Sequence, residues 1–481
     1  MNFNCSARGK SYLMAVTARC FLVVAGLVFA SLPTIAAEKT HGEKPNIVLI
    51  LMDNFGWGEL GVYGGGILRG APTPRIDQLA AEGLRLANFN VETVCTTSRA
   101  ALMTGRYGVR TGAFFPAYTT GAGLTQWEIT LAEMLGSKGY VSGIFGKWHL
   151  GDTPGRFPTD QGFEEWYGIP NTSNESRWQD GNHPDQYAHP SSSPRSSFIL
   201  EGKKGKAVKK VKLYNNKNRP LIDEEITDRA INFMQRQVRK GKPFFTYIPY
   251  TQTHVPITPH PDFAGKTGKG NDADVLAQID YYTGRLLDAI DKLGIRDNTI
   301  FIFTSDNGGI ANGPWNSNNG FPFFSEKEGA LRVPFIVRWP QKIPGGRYSN
   351  EIVHLMDIFP TLASIVGAEI PADRLIDGVD QTDFFKNKKE TSNREGFVIY
   401  AQEKVLGVKW RDWKMTENPT IGNGFAAFYN VLERPAEISP QAGPVSWLRF
   451  PIGKFLTDHL ETFERHPAIA PGTPDPYVPN D

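Results

Sequence analysis

The chain has 481 residues, of which 40% are hydrophobic and 21% are charged, and its formal net charge is +2. Single cores stop growing near ~250–300 residues, so this length predicts one large core with a smaller second unit. The near-zero charge gives no general attraction to polyanions and argues against a nucleic-acid partner.

The first 37 residues are typical of an export signal. Three basic residues, with no acidic ones, precede or flank the apolar run FLVVAGLVFASL, and the small-residue stretch TIAA follows it. This order predicts a signal peptide over 1–37, cleaved near Ala36 or Ala37. An uncleaved anchor is less favoured, because the apolar run is shorter than the ~20 residues of a membrane span. We therefore expect an exported protein, periplasmic or secreted, without stable membrane insertion and with a net charge of −1 after cleavage.

The cysteine count raises a question about one position. Cys5 and Cys20 lie in the predicted leader, and only Cys95 remains after it. A single cysteine forms no internal disulfide, and a lone thiol in an oxidising compartment is a liability. Cys95 is therefore either buried and inert, as free cysteines commonly are, or it carries chemistry.

From residue 45 onwards, short apolar runs that end in polar residues alternate with amphipathic segments. The apolar runs predict buried parallel strands, and the amphipathic segments predict helices between them. Strands are predicted over 46–53, 140–146, 243–250, 298–308 and 333–340, and helices over 73–83, 131–139, 223–240 and 272–294. The alternation predicts an α/β fold with a mostly parallel sheet flanked by helices.

The composition changes after about residue 370, where Pro and Gly become more frequent. The runs KVLGVKWRDWKMT and FAAFYNVLE predict strands of a small antiparallel sheet, and the Pro-rich tail from His466 predicts an extended segment. We therefore divide the chain after the leader into a catalytic α/β domain over 38–370 and a C-terminal subdomain with its tail over 371–481.

Polar residues follow four of the predicted strands. They are Asp53 and Asn54, Lys147 and His149, His254, and Asp306 and Asn307. Ligands of open α/β sheets bind beyond the carboxyl ends of the strands, so these groups predict a single active site. The two Asp-Asn pairs offer oxygen ligands that suit calcium or magnesium, and without a Cys/His cluster they suit zinc poorly. Each pair taken alone is equally typical of a turn or a helix cap.

Cys95 directly precedes TTSRAALMTG, a predicted helix. Its sulfur would then lie near a helix N-terminus, where backbone N–H groups and the helix dipole favour anions. Arg99, four residues later, falls on the same face. A thiol, a cation and a helix N-terminus together indicate a nucleophile that handles an anionic substrate.

These residues carry a family resemblance. The run CTTSRAALMTGR over 95–106 resembles the sulfatase signature, whose core is C-x-P-x-R followed by a small-residue helix and T-G-R. The segment over 46–66 is similar to the family's opening strand and first metal loop, and GIFGKWHLG over 143–151 to its G-K-W-H-L-G motif. Further segments resemble the family in the same order, namely TQTHVPITPH, FTSDNG, EGALRVPFIVRWP, VHLMDIFPTLASIVG, VKWRDWKM and FYNVLE.

The chain is thus identified as a member of the arylsulfatase-like sulfatases of the alkaline phosphatase superfamily, type I and formylglycine-dependent. The resemblance implies a large mixed, mostly parallel sheet flanked by helices, with a smaller C-terminal antiparallel sheet. It implies hydrolysis of aryl or carbohydrate sulfate monoesters. It also implies that a formylglycine-generating enzyme oxidises Cys95 to formylglycine before folding is complete, and that the hydrate of this group attacks sulfur while bound to one Ca²⁺ per chain.

The resemblance also implies roles for single residues. The implied metal ligands are Asp53, Asn54, Cys95, Asp306 and Asn307. Arg99 would support the diol and its helix, and Lys147 would contact the sulfate. His149 would act as the base on the diol, and His254 would protonate or polarise the leaving oxygen.

The sequence departs from the family pattern in three ways. Thr97 stands where the signature has Pro, which helps to hold that region extended for the modifying enzyme. Asn54 stands where many members have a second Asp. Phe323 and Phe324 stand where many members have a lysine, and Lys327 is out of register with it. Besides the sulfatase reading, these departures leave open a phosphate ester hydrolase of the same superfamily and a homologue that only binds sulfated glycans.

The segment over 201–219 is rich in lysine. We interpret it first as a solvated hairpin. The alternative is a basic arm near the cleft that attracts anionic substrates.

Overall fold

The computed structural model describes residues 44–114, 122–173, 198–309, 326–417, 426–441 and 445–474, so the predicted leader lies outside the described residues. The strands are β1 (Asn46–Met52), β2 (Leu84–Asn90), β3 (Val141–Phe145), β4 (Glu165–Gly168), β5 (Phe198–Lys203), β6 (Lys209–Leu213), β7 (Phe244–Pro249), β8 (Thr299–Ser305), β9 (Arg332–Arg338), β10 (Arg347–Ser349), β11 (Val353–His354), β12 (Gly396–Ala401), β13 (Lys404–Trp410), β14 (Trp413–Glu417) and β15 (Ala426–Asn430). The helices are α1 (Pro74–Ala81), α2 (Cys95–Thr104), α3 (Leu131–Gly136), α4 (Ile222–Arg239), α5 (Asn271–Lys292), α6 (Glu328–Leu331), α7 (Ile358–Val366), α8 (Thr382–Phe385) and α9 (Arg449–Arg465).

Eleven strands form one mixed sheet in the order β10-β2-β9-β8-β1-β7-β3-β4-β5-β6, with β11 also paired to β2. The five central strands β8, β1, β7, β3 and β4 are parallel, whereas β9, β5 and β6 each run antiparallel to a neighbour. The predicted fold class, a large and mostly parallel sheet with helices, is confirmed.

The sequence of β1 explains why this strand lies at the centre. Alternate side chains of a strand point to opposite faces of the sheet. Ile47, Leu49 and Leu51 belong to one apolar cluster, and Val48, Ile50 and Met52 belong to the cluster on the other face. All six side chains are fully buried, and each stabilises the fold by about 1.5–3 kcal/mol relative to an exposed position. A strand that is apolar on both faces needs helices on both sides, which α3 and α7 provide on one face and α1, α4 and α5 on the other.

Several structural elements have no counterpart in the sequence prediction, and β2 and α9 are two of them. β2 was not predicted because Arg85, Asn88 and Asn90 interrupt its apolar pattern, and its partners β9 and β10 are distant in sequence. α9 was not predicted because Pro451 and Gly453 stand in its first residues. Proline is tolerated in the first turn of a helix, where its missing N–H would have no intrahelical acceptor.

The predicted C-terminal antiparallel sheet is confirmed, with the order β12-β13-β14-β15. Its apolar face packs in one cluster with Ala101 of α2 and with Tyr107. The Tyr107 hydroxyl accepts a hydrogen bond from the Val398 N–H (3.0 Å), and the Thr93 hydroxyl donates to the Tyr400 carbonyl (2.7 Å). The small sheet therefore braces the segment that carries Cys95.

A buried group of charged residues also joins the two sheets, and we call Glu328, Lys409, Lys414 and Glu437 the interface cluster. Both carboxylate oxygens of Glu328 contact ammonium groups, that of Lys409 at 2.7 Å and that of Lys414 at 2.8 Å. Lys414 also contacts Glu437 at 2.9 Å. Although burial alone would raise the pKa of Glu328, the two lysines hold it well below its usual value.

Candidate active site

The two predicted carboxylates lie side by side because their strands are neighbours. β1 and β8 pair in register up to Met52 and Ser305, so Asp53 and Asp306 leave the sheet at the same edge. The Asn54 N–H donates to Asp306 Oδ1 (3.1 Å). Both carboxylates are fully buried.

The two amides that follow these carboxylates also meet. Asn307 Nδ2 donates to Asn54 Oδ1 at 2.5 Å. Asn307 Oδ1 is buried and accepts no hydrogen bond from the residues that the structure describes. A buried acceptor without a donor is costly, and a cation satisfies it. This orphaned oxygen and the surrounding carboxylates fit a hard divalent metal ion.

Cys95 is the first residue of α2, as the sequence predicts, and its side chain is 3% exposed. Burial raises the pKa of its thiol to about 12. Ligand atoms of Cys95, Asp53 and His254 lie within 4.8 Å of one another. The predicted nucleophile position therefore borders the predicted metal ligands.

Thr97, the departure from the signature, has a structural role at the start of α2. Its hydroxyl donates to the Val94 carbonyl (2.7 Å) and accepts from the Val94 N–H (3.3 Å). A proline side chain can make neither hydrogen bond. Thr97 thus caps the helix N-terminus through side-chain contacts, as the third residue of a capping box does.

Arg99 connects three of the site elements. Its side chain is fully buried, and it donates to Asp306 Oδ2 from Nε (3.0 Å) and Nη2 (2.7 Å). Its Nη1 donates to the Lys147 carbonyl (2.9 Å), and Nη2 lies 4.0 Å from Asp53 Oδ1. Arg99 therefore fixes α2 against the ends of β1, β3 and β8.

Lys147 follows β3 and reaches the same carboxylates. Its Nζ donates to both Asp53 oxygens (3.0 and 2.9 Å) and to Thr172 Oγ1 (3.1 Å). The sequence prediction missed Thr172 because it did not predict β4, the strand after which Thr172 comes. With that strand recognised, its position beyond a strand end would have been the signal, as for the other site residues.

The two predicted histidines are buried near these groups. Burial, with the positive charge of Lys147 next, lowers the pKa of His149 well below its usual value. The same causes lower the pKa of His254 to about 3. His254 Nδ1 donates to the Val255 carbonyl (2.8 Å), because a carbonyl oxygen only accepts. In the neutral imidazole, Nε2 then carries the lone pair.

Two site residues have left-handed backbone conformations. Asn54 has φ 59° and His149 has φ 63°. Asparagine tolerates this region better than most residues, whereas histidine adopts it less readily, and such strain clusters at functional sites. Close backbone approaches occur in the loops after β8 and β3, since a Cβ at Gly308 would lie 1.7 Å from the Gly329 carbonyl oxygen and one at Gly146 would lie 1.9 Å from that of Pro249.

The charges of the site balance before any ligand binds. Two carboxylates, Asp53 and Asp306, face two cations, Arg99 and Lys147. A divalent metal ion would therefore leave an excess of two positive charges in a buried setting. Such a site attracts and polarises an anionic ester.

Other residues singled out in the sequence lie elsewhere. Lys327 extends over the Tyr429 ring (5.3 Å), which agrees with its not being assigned to the site. Phe323 and Phe324 lie outside the described residues. The segment over 201–219 includes a hairpin of β5 and β6, as interpreted from the sequence.

Comparison with known protein families gives two matches. The sulfatase family model matches residues 45–368. A second model, described as N-sulphoglucosamine sulphohydrolase, C-terminal, matches residues 323–417. The first match includes every predicted site residue, and the second includes β13 and β14 of the small sheet.

Curated proteins and a solved structure are also similar. The chain is 35% identical over 364 residues to N-acetylgalactosamine-6-sulfatase of Canis lupus familiaris, which covers 70% of this chain and 65% of that protein. It is 32% identical over 399 residues to arylsulfatase G of Rattus norvegicus, which covers 78% and 74%. The crystal structure of PsFucS1 sulfatase from Pseudoalteromonas sp. aligns with a TM-score of 0.82 and 29% identity, covering 89% of this chain and 92% of that one. The chain thus spans slightly less than two thirds of the first of these relatives.

Proposed function

The chain belongs to the sulfatase family, and we propose that it is a sulfuric ester hydrolase acting on sulfate monoesters of aryl alcohols or carbohydrates. The observation that carries this proposal is the meeting of Cys95, at a helix N-terminus, with two carboxylates, two cations and two histidines in one buried cluster. A carbohydrate substrate is supported by the similarity to N-acetylgalactosamine-6-sulfatase, whose name refers to a sulfated amino sugar.

We propose that Asp53, Asn54, Asp306, Asn307 and residue 95 hold one Ca²⁺. The sulfatase family generally uses a metal ion and formylglycine. The orphaned Asn307 Oδ1 and the all-oxygen character of the two Asp-Asn pairs support calcium over a softer metal. When bound, the cation neutralises negative charge on the sulfuryl oxygens, and formylglycine at position 95 supplies the nucleophilic oxygen.

The protein's own side chains would then share three tasks. Arg99 and Lys147 place positive charge against the carboxylates and the sulfate, and Arg99 also holds α2 in position. His149 accepts a proton from the group at position 95. His254, whose Nδ1 is engaged with Val255, exchanges a proton with the leaving oxygen through Nε2.

The experiment that tests the function begins with the peptide over 86–99, which trypsin releases between Arg85 and Arg99. Its mass is measured in protein produced with and without a formylglycine-generating enzyme, together with hydrolysis of 4-nitrophenyl sulfate and 4-nitrophenyl phosphate. We expect an aldehyde at position 95 and sulfate hydrolysis that rises with the aldehyde content. Full activity with an unmodified Cys95, or faster phosphate than sulfate hydrolysis, would contradict the proposal.

We also propose that the protein is exported. The support is the leader pattern over 1–37. Among the described residues, no helix is long and apolar enough to cross a membrane. N-terminal sequencing of the protein recovered outside the cytoplasm tests this, and we expect the chain to begin at Ala37 or Glu38.

A further inference from the structure

A cavity of about 500 Å³ lies between the β5–β6 hairpin and the segment that follows the G-K-W-H-L-G motif. Phe157 and Phe198 contribute apolar surface, and Lys206 and Lys210 contribute two ammonium groups. Volumes of this size are typical of small-molecule sites, and aromatic surface beside polar groups suits sugar rings.

The strand register determines which lysines of the hairpin face the cavity. Lys210 pairs with Leu200, and Lys209 pairs with Glu201. Neighbouring residues of a strand point to opposite faces, so Lys210 shares the face of Leu200, which lines the cavity. The Lys210 ammonium lies 4.4 Å from the centre of the Phe198 ring. Lys206 reaches the same cavity from the turn.

These two lysines differ from others on the hairpin in their partners. Lys204 pairs with Glu164 and Lys212 pairs with Glu225. Within the described ranges, neither Lys206 nor Lys210 forms an ion pair, and both are exposed. Their charges are therefore available to a ligand.

The acidic residues of the cavity are already engaged by their own loop. Asp160 Oδ2 accepts hydrogen bonds from the N–H groups of Gly155 (2.8 Å) and Phe157 (3.2 Å). Asp152 Oδ2 accepts from Asn171 Nδ2 (3.2 Å). These hydrogen bonds hold the two carboxylates against their own segments without cancelling their charge, and Lys206 and Lys210 are the lining groups that can contact an anion.

The cavity adjoins the candidate active site. Pro170 lines it, and the Pro170 carbonyl accepts from the His149 N–H (2.8 Å). Thr172, two residues further, accepts from the Lys147 ammonium (3.1 Å). Two residues span at most ~7 Å, so the cavity wall at Pro170 lies within that distance along the chain of the residue that contacts Lys147.

We propose that this cavity is a second anion-binding subsite, in which Lys206 and Lys210 bind a further sulfate group of a multiply sulfated oligosaccharide substrate. The inference rests on the proposed sulfatase function and narrows its substrate class to oligosaccharides with at least two sulfate groups. The lysines act in binding and take no part in the chemical step.

The test is calorimetric titration of the full-length protein with a heparin-derived tetrasaccharide, and with the same tetrasaccharide after chemical desulfation. The variant Lys206→Ala/Lys210→Ala is expected to bind the sulfated probe about tenfold more weakly, as two exposed charge contacts allow. Its KM and kcat for 4-nitrophenyl sulfate are expected to stay within about twofold of the wild-type values, because a small aryl ester does not reach the cavity.

The matched control is Lys203→Ala/Lys209→Ala, which removes the same charge from the opposite face of the hairpin. It is expected to weaken binding by less than about twofold. Equal weakening in both variants, or no preference of the wild type for the sulfated probe, would overturn the subsite. If wild-type protein with formylglycine at position 95 does not hydrolyse 4-nitrophenyl sulfate, that result counts against the proposed function. The binding comparison of the two variants would still decide whether the subsite exists.

Discussion

The candidate active site and the interface cluster are both buried groups of charged side chains, and both join separate parts of the chain. In the interface cluster each of the four carboxylate oxygens lies within 2.9 Å of a nitrogen. The Lys409 ammonium donates to Glu328, Asn88 and Asn90 at 2.7–2.8 Å, so all three of its hydrogens are used.

The active site differs in its neutral groups. Asn307 Oδ1 accepts no hydrogen bond from the described residues, whereas Glu328 Oε1 and Glu437 Oε1, which also lack one, each contact the Lys414 ammonium within 2.9 Å. The active site also holds two buried histidines whose pKa values are lowered.

Left-handed backbone occurs in both regions, at Asn54 and His149 and at Glu437. Buried charge and backbone strain are thus common to both regions, and buried histidines with lowered pKa values beside that charge distinguish the candidate ligand site. The predictions below test that distinction.

The largest effect is expected from Cys95→Ala. Because it removes the proposed nucleophile precursor, hydrolysis of 4-nitrophenyl sulfate should fall by at least about 10³-fold. The free energy of unfolding should change little, since only one sulfur atom is lost from the core. The measurements are steady-state kinetics and urea unfolding of the same preparations. Retention of more than a tenth of the activity would count against position 95.

Glu328→Gln is expected to lower stability and leave activity unchanged, the opposite of Cys95→Ala. Removing one charge leaves Lys409 and Lys414 buried with too few carboxylates, which should lower the free energy of unfolding by about 3–5 kcal/mol. Turnover measured well below the melting temperature should be unchanged. If the variant had normal stability and a reduced kcat, the interface cluster would take part in catalysis. The distinction between the interface cluster and the candidate active site would then be wrong.

The effect of Ca²⁺ on the free energy of unfolding should depend on the active site and not on the interface cluster. A ligand that binds only the folded state at 100 times its Kd stabilises it by about 2.7 kcal/mol. We expect this gain for the wild type after chelation and re-addition of Ca²⁺, measured by urea unfolding. Glu328→Gln should keep the gain, and Asn307→Ala should lose most of it. Equal gains in all three proteins would place the cation elsewhere.

The smallest effect concerns His459 of α9, which packs on the small sheet. Burial lowers its pKa to about 4, and its Nε2 contacts the Tyr400 hydroxyl at 2.8 Å. Between about pH 6.5 and 4 the unfolded chain therefore binds more protons at His459 than the folded chain does. The contribution of His459 to the free energy of unfolding is complete above about pH 6.5 and is lost as the pH falls towards 4.

The variant His459→Gln isolates this contribution, because glutamine can still accept a hydrogen bond but does not titrate. Its loss of unfolding free energy between pH 7 and 4.5 should be smaller than that of the wild type by about 1–2 kcal/mol, allowing for partial exposure. Urea unfolding at the two pH values is the measurement. An identical pH dependence in both proteins would assign the acid sensitivity to other groups.

Much of the fold follows from local patterns. β1 and β8 are apolar on both faces and end in polar residues, and α4 and α5 have one apolar face. Because the carboxyl ends of parallel strands meet at one edge, the sequence also predicts that Asp53, Lys147 and Asp306 come together. The structure places them together as that rule requires.

The remainder depends on contacts that no local pattern contains. Lys409 and Lys414 look like solvent-facing strand residues, and only their distant partners Glu328 and Glu437 make burial possible. The burial of these two lysines arises from tertiary structure, which overrides local propensity. Thr97 is a different case, because its contacts with Val94 are local and belong to a capping box that the comparison with the motif did not consider.

The position of β6 at the end of the large sheet has a consequence for the protein in concentrated solution. Its outer backbone groups have no strand partner among the described residues, and such an edge is a template for pairing with a second molecule. Lys209 and Lys210 project from it on opposite faces, so two molecules that approach edge to edge bring like charges together. The folded protein should therefore stay dispersed at low ionic strength, and light scattering should detect self-association first where salt screens these charges.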